Sequence, residues 1–155
     1  MKRLSRYVEA LRLGAVIDSK APAGGAAAGN IVILPVYENI LVSGLGASSS
    51  SLTAFVDDNV SGEFKIAGVT VTFGTTSTSG TMQLEVATGT QAVAAGTNQL
   101  TGTMSLSGTA NTPVNGTIIA SPTTIIAGSR INIILGGTLT NLANCVVNIV
   151  LERTK

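Results

Sequence analysis

The feature that most restricts the fold of this chain is a repeated alternation of apolar and polar residues with a period of two. Five segments show it, and Thr, Ser and Asn occupy many of their polar positions; the segments are residues 69–73, 81–86, 100–106, 130–135 and 145–152. Successive side chains of a β-strand point to opposite faces of a sheet. The period therefore predicts half-buried strands rather than helices.

Shorter β candidates lie between these segments, and turn-forming residues separate them. The candidates are Ile31–Tyr37, Ile40–Val42, Leu52–Val56, Glu63–Ile66 and Gly116–Ala120. Gly, Asn, Asp, Ser and Pro cluster in the gaps. About eight to ten short strands at this spacing predict an all-β domain, a sandwich or a barrel.

A regular spacing of glycines leaves a second all-β fold open. The glycines that stand six residues apart are Gly62, Gly68, Gly74 and Gly80, followed by Gly96, Gly102 and Gly108. A six-residue period is typical of a hexapeptide β-helix. However, the residue before each glycine is not regularly aliphatic, and the period breaks between the two series. The sandwich or barrel is therefore the favoured prediction.

The N-terminal segment carries a helical pattern instead. Its apolar residues stand at i, i+3, i+4 and i+7 and are Leu4, Tyr7, Val8 and Leu11. The cations Lys2, Arg3, Arg6 and Arg12 lie off this stripe, and Gly14 is placed to end the helix. A helix of about three turns is not stable alone in water. It must therefore dock on its own domain, on another protein or on a membrane surface, and we favour another protein.

A stretch of small residues, 21–30, follows this helix and is rich in Gly and Ala. Such a composition indicates a flexible arm. We therefore expect two parts: an N-terminal amphipathic helix with a Gly/Ala-rich arm over residues 1–30, and a β domain over residues 31–155.

Charge is distributed very unevenly. Residues 1–20 hold five cations and two anions, whereas the 86 residues from Ile66 to Leu151 contain only Glu85 and Arg130 as charges. A solvated monomer usually keeps a far more charged surface. Either Thr, Ser and Asn supply the solubility, or much of this surface contacts other copies or another protein. We favour the second interpretation.

The composition removes most routes to catalysis, so we expect a non-enzyme without cofactor or metal. The chain has no His, no Trp and one Cys, and its formal net charge is +1. Imidazole chemistry, an internal disulfide, a zinc site and a strongly basic nucleic-acid surface are therefore excluded. The chain has no run of 18 apolar residues, so no transmembrane helix is predicted. Asp57 and Asp58 fit a turn, and Cys145 fits a buried structural thiol.

One short segment is apolar on both faces, which suits a strand covered on both sides. Its apolar residues Ile31, Ile33, Leu34 and Val36 are candidates for a subunit interface. Pro35 cannot donate a ladder hydrogen bond, which favours a sheet edge that a neighbouring subunit covers. A central core strand is the alternative.

The turns and strands between residues 65 and 155 also follow a recognisable pattern. It runs through Gly89-Thr90, Ala95-Gly96-Thr97, Gly108–Thr112, Ala127–Ile131 and Gly137–Leu142, and ends on Val146-Val147 and Val150-Leu151. This pattern resembles head decoration (cement) proteins of tailed bacteriophages and related jelly-roll modules of head fibres. At Ser129 the family more often has Asp, and the arm is outside the matched region.

The resemblance implies a trimeric jelly roll on the exterior of a virion capsid, where it bridges major capsid protein subunits. We expect a homotrimer with no small-molecule substrate, nucleic acid or membrane partner. The predicted capsid-binding residues are Lys2, Arg3, Leu4, Arg6, Tyr7, Val8, Leu11 and Arg12. The alternative is a head- or tail-fibre module that binds host-surface carbohydrate.

Overall fold

The computed structural model describes residues 37–56 and 62–154, and within them the chain forms nine β-strands and no helix. The strands are β1 (Tyr37–Leu45), β2 (Leu52–Val56), β3 (Phe64–Thr72), β4 (Thr81–Thr88), β5 (Thr97–Asn98), β6 (Met104–Ser105), β7 (Val114–Gly116), β8 (Ser129–Gly136) and β9 (Cys145–Arg153). The all-β prediction is confirmed for this part. The N-terminal helix and the arm lie outside the described residues.

The strands form two antiparallel sheets that enclose the core as a sandwich. Sheet I has the order β1-β9-β3-β7, and sheet II has the order β2-β8-β4-β5, with β6 also paired to β4. The pairings are nested along the chain: β1 pairs with β9, β2 with β8, and β3 with β7. A hexapeptide β-helix is built from parallel strands. The antiparallel ladders therefore exclude that alternative.

The alternation read from the sequence becomes the two faces of each long strand. On β9, Cys145, Val147, Ile149 and Leu151 are fully buried, while the residues between them are half-buried on the outer face. The inner positions of β3, β4 and β8 complete one core between the sheets. Each large apolar side chain buried in this way contributes about 1.5–3 kcal/mol to folding.

Strand β3 joins two segments that the sequence pattern predicts as separate strands, Glu63–Ile66 and residues 69–73. Ile66 and Val69 are both buried. Two residues lie between them, so a regular strand would turn them to opposite faces. The register shifts between Ile66 and Gly68, so that Ala67 bulges out and is exposed. This β-bulge restores the phase of the inner residues.

The strand predicted over residues 100–106 is longer than the strand that the structure has there. Only Met104–Ser105 forms a strand there, although Leu100, Met104 and Leu106 are all buried as the alternation predicts. Between β5 and β6 the backbone leaves β4 and bonds to the segment after β7 instead, with Thr101 N donating to Thr117 O at 2.9 Å. The predicted strand Gly116–Ala120 is likewise reduced to the end of β7 and an isolated bridge at Ile118.

The connections between strands gather at two ends of the sandwich. The register places Leu45 beside Cys145, Thr72 beside Val146, and Thr81 beside Gly136. One end therefore carries the β1–β2, β3–β4, β6–β7 and β8–β9 connections. The opposite end carries the start of β1, the end of β9, and the β4–β5 and β7–β8 connections.

Candidate interaction surfaces

The first of these ends has no charged residue, and we call it the neutral end. It comprises residues 46–51, 73–80, 106–113 and 137–144. Thr, Ser, Gly, Asn and Ala make up most of it, and most of their side chains are exposed. Water and uncharged partners are therefore the natural contacts of this end.

Backbone hydrogen bonds tie the loops of the neutral end to one another. Thr75 N and Ala143 N each donate to the other residue's carbonyl at 3.2 Å, and Ala47 N donates to Leu142 O at 2.9 Å. Gly137 has a φ of +68°, and a Cβ at this position would collide with the carbonyl oxygen of Ser79. The loops are thus fixed as one network.

The described charges of sheet I lie towards the opposite end, which we call the charged end. Glu38 is the second residue of β1, Glu63 and Lys65 flank the start of β3, and Glu152 and Arg153 finish β9. The register confirms that they are near one another, since Lys65 pairs with Glu152 and Phe64 pairs with Arg153. Tyr37, the first described residue, also lies at this end, because it pairs with Glu152.

The two remaining charges of the described residues serve a different purpose. Glu85 on β4 is 5% exposed, although it points to the outer face of sheet II. Its Oε1 accepts a hydrogen bond from Ala94 N at 2.7 Å, and its Oε2 accepts one from Gly96 N at 3.0 Å. Glu85 therefore fastens the β4–β5 connection; we call this connection together with the last residue of β4, residues 88–96, the clamped loop.

Arg130 on β8 holds the same loop through its carbonyl groups. Its Nη2 donates to Gly89 O at 3.3 Å and to Gln91 O. Gln91 braces the loop from within, because its Oε1 accepts from Thr88 N at 2.8 Å and its Nε2 donates to Ala95 O at 3.2 Å. Both charges of the long neutral stretch are therefore used to order one loop.

A polar network beneath the clamped loop connects it to the rest of sheet II. The fully buried Asn132 donates from Nδ2 to Glu85 Oε1 at 2.7 Å, and Thr53 Oγ1 donates to Asn132 Oδ1 at 2.7 Å. Gly96 allows close approach, since a Cβ there would lie 2.6 Å from Val86 O. Buried polar groups are costly unless they are paired, so this network requires the loop in place.

A small cavity remains between the clamped loop and the sheet. Its volume is about 170 Å³, and Gln83, Glu85, Asn98 and Ile134 contribute to its lining. Small-molecule pockets usually measure roughly 300–1,000 Å³. We therefore assign no ligand to it.

Two large apolar side chains are exposed on the described surface. Leu41 on β1 is 67% exposed, and Ile126 in the β7–β8 connection is 49% exposed. Leu41 stands opposite Asn148, which in turn pairs with Thr70, so its row on sheet I is otherwise polar. Ile126 lies in the turn that leads into β8, since Ser129 N donates to Ile126 O at 2.8 Å, and the preceding Ile125 bridges Phe64 at the start of β3.

The site residues predicted from the sequence lie outside the described part of the chain. This holds for the capsid-binding arm, for the interface candidates Ile31, Ile33, Leu34 and Val36, and for Asp57 and Asp58. Cys145 is described, and it is a buried free thiol. Burial raises its pKa to about 11, so the thiol is protonated at neutral pH and is a poor nucleophile.

Within residues 37–56 and 62–154, no group of three or more His, Cys, Asp or Glu side chains could hold a metal ion. The same part of the chain contains no helix long and apolar enough to cross a membrane.

Comparisons with known proteins do not place the chain in a family. No family model matches the sequence, and no curated protein matches it. A solved structure from work on Bacillus endospore appendages, described as a family of disulfide-linked pili, aligns with 78% of this chain and 89% of that chain. The sequence identity is 10% and the TM-score is 0.32. Similarity at this level assigns neither a fold nor a function.

Glu85 and Arg130 have no role predicted from the sequence, yet the structure brings both to one loop. Each stands alone in an uncharged strand pattern, and that isolation is the signal that could have identified them. A lone charge on a mostly buried strand needs partners. The pattern does not indicate which backbone groups those partners are.

Proposed function

We propose that this protein is a virion structural protein that decorates the exterior of a tailed-bacteriophage capsid. In this proposal it is a jelly-roll trimer that bridges neighbouring major capsid protein subunits and strengthens the shell. The proposal includes no catalysis and no cofactor.

The nested strand order supports the jelly-roll part of the proposal. A jelly roll is two packed sheets made from two Greek keys, and it recurs in viral capsid and lectin domains. The orders β1-β9-β3-β7 and β2-β8-β4-β5 have the first strand beside the last and the second beside the next to last. Rolling up one long antiparallel hairpin generates this order.

The observation that carries the function is the separation of charge along the body. The described charges of sheet I lie towards the charged end, while the neutral end has none. Such a body divides its contacts: the cationic arm suits an acidic capsid surface, and the neutral end suits subunit contacts.

Attachment in this proposal depends on apolar anchors and on valency. Each exposed ion pair from Lys2, Arg3, Arg6 or Arg12 contributes under about 1 kcal/mol. Leu4, Tyr7, Val8 and Leu11 would supply the apolar burial. Three arms on one trimer raise the overall affinity because the second and third contacts are intramolecular.

Deletion of residues 1–20 tests this function. The truncated chain should keep its trimer and its unfolding temperature but should no longer co-sediment with undecorated capsids of the encoding phage. A matched control keeps the arm and replaces Leu4 and Leu11 by Ala, which should weaken binding while retaining the cations. Full decoration by the truncated protein would refute the arm as the anchor.

The neutral end favours a second candidate, a fibre-type module that binds carbohydrate. Its exposed Thr, Ser and Asn side chains can hydrogen-bond to sugar hydroxyls. Phe64 and Phe73, however, are buried and cannot stack on a sugar ring. Binding on a glycan array that Thr138→Ala and Asn141→Ala abolish would favour this candidate over capsid decoration.

A further inference from the structure

One side of the sandwich is closed by hydrogen bonds and the other is open. On the side of β5 and β7, Gln99 N donates to Leu84 O of β4 at 2.8 Å, and Gln99 O accepts from Ile119 N, beyond β7, at 3.0 Å. On the other side, β1 ends sheet I and β2 ends sheet II, and no described strand pairs with the outer edge of either. An unpaired edge offers its free amide and carbonyl groups to a further strand.

The edge strand β1 has apolar residues on both of its faces. Ile40 and Val42 are partly buried against the core, whereas Leu41 lies between them on the outer face and is 67% exposed. The six residues Tyr37–Val42 pair with β9 without a register shift, and Glu38 is their one charge. Charges, Pro and bulges usually protect an exposed edge, and residues 39–42 have none of them.

Strand β2 is a poorer acceptor for a further strand. It has five residues, and its register against β8 shifts between Thr53 and Phe55. The Thr53 hydroxyl is already used, because it donates to Asn132 Oδ1 at 2.7 Å. The open side therefore has one long and regular edge, which is that of β1.

The sequence contains a segment whose length and chemistry match this edge. Residues 31–36, Ile-Val-Ile-Leu-Pro-Val, are six in number and carry no charge. As a strand they would present apolar side chains on both faces. One face would then cover Ile40 and Val42 at the rim of the core, and the other would cover Leu41. Pro35 is compatible with this position because an added strand becomes the new edge of the sheet, where Pro is tolerated.

This segment cannot reach β1 of its own chain through a favoured hairpin. Val36 is joined directly to Tyr37 of β1, so a two-residue turn would have to include Pro35. Favoured two-residue hairpin turns need a positive φ at their first or at both central residues. Pro is fixed near −65°, and the bulky Leu34 avoids positive φ. A longer turn would use up most of the six residues.

We infer that residues 31–36 of one copy add as a strand to the outer edge of β1 in a second copy. A cyclic trimer needs two different surfaces on each chain that fit each other head to tail, and the segment and the edge are such a pair. Backbone hydrogen bonds supply the pairing and side chains the specificity. β1 leads into residues 46–51, so the second copy also lies beside the neutral end. The inference deepens the proposed function, because it rests on the trimer and identifies its contact.

Blocking each partner in turn tests the inference on the full-length chain. The double change Ile33→Asp and Leu34→Asp disables the segment. Ile40→Lys places an inward-pointing charge on the edge, which is one way natural edges are blocked, and Ile40→Ala is its matched control without the charge. Sedimentation equilibrium should give three times the mass of one chain for the wild type and Ile40→Ala, and one chain mass for both blocked variants. Circular dichroism should show that the blocked variants are folded.

A second edge variant leaves the core unchanged. Leu41 is exposed, so Leu41→Asp removes no core contact but places a carboxylate against the apolar segment of the second copy. This variant should keep the unfolding temperature of the monomeric double variant and should also give one chain mass.

Mixing the two blocked variants gives the most specific readout. The Ile40→Lys chain still has an intact segment, and the Ile33→Asp, Leu34→Asp chain still has an intact edge. One contact can therefore form between them, but the ring cannot close. An equimolar mixture should give twice the mass of one chain, although each variant alone gives one.

The contrary results are equally distinct. A wild type that is a monomer at tens of micromolar, trimers in all blocked variants, or equal loss of the trimer in Ile40→Ala and Ile40→Lys would each overturn the inference. A mixture that stays at one chain mass would overturn it as well, because the segment and the edge would not be partners. A wild-type trimer that fails to bind capsids would refute the proposed function and leave this inference intact.

Discussion

Glu85 and Arg130 hold one loop by opposite backbone groups. Glu85 accepts from the amides of Ala94 and Gly96, while Arg130 donates to the carbonyls of Gly89 and Gln91. The register of β4 against β8 places Glu85 opposite Asn132 and Ala87 opposite Arg130, so a single residue pair separates the two charges along the ladder. The loop is thus fixed at both its beginning and its end.

Removal of the Glu85 carboxylate should destabilise the fold. Glu85→Ala leaves the amides of Ala94 and Gly96 and the Asn132 amide without their acceptor, which costs about 1–3 kcal/mol for each group that stays buried. Urea unfolding measures the loss of stability, and hydrogen exchange should be faster at the backbone amides of Ala94 and Gly96.

Gln83→Ala is the matched control for this variant. Gln83 lies on the same face of β4 but is half-buried, and the change should stay within about 0.5 kcal/mol of the wild type. Equal destabilisation by both variants would mean that the loss comes from the outer face of β4 in general and not from the clamp.

The neutral end should depend on Gly137. Gly137→Ala meets both a left-handed backbone and a collision with the carbonyl of Ser79, whereas Gly128→Ala meets a φ of +84° with open space around the new Cβ. The second change should cost about 1–2 kcal/mol from backbone strain alone. Gly137→Ala should cost clearly more in chemical denaturation, and an equal cost would show that the loops of the neutral end can separate.

Much of the sheet could be predicted from the sequence, because strands buried on one face keep their period of two. Leu52–Val56 is confirmed residue for residue, and β9 begins at Cys145 as the alternation indicates. The bulge at Ala67 was missed because each side of it alternates correctly by itself. The clamp was missed because β4 and β8 are distant in the chain, and only their register brings Glu85 and Arg130 to one loop.

The Cys145 thiol should make stability depend on alkaline pH. Burial raises its pKa in the folded state from 9.0 to about 11, so the folded form keeps its proton where the unfolded form has lost it. The contribution of the protonated thiol to the free energy of unfolding is complete below pH 9 and is lost as the pH rises towards 11. Cys145→Ala should remove that part of the pH dependence, measured as the difference between the two urea-unfolding curves. Parallel curves for wild type and variant over this pH range would contradict the assignment.

The central claim is that this protein strengthens a capsid, and heating tests it most directly. Undecorated capsids of the encoding phage are heated with and without the full-length chain, and DNA release is followed by the fluorescence of an added dye. The account predicts release at a higher temperature with the full chain, and no shift with the chain that lacks residues 1–20. Release at the same temperature, with the full chain bound or unbound, would contradict it.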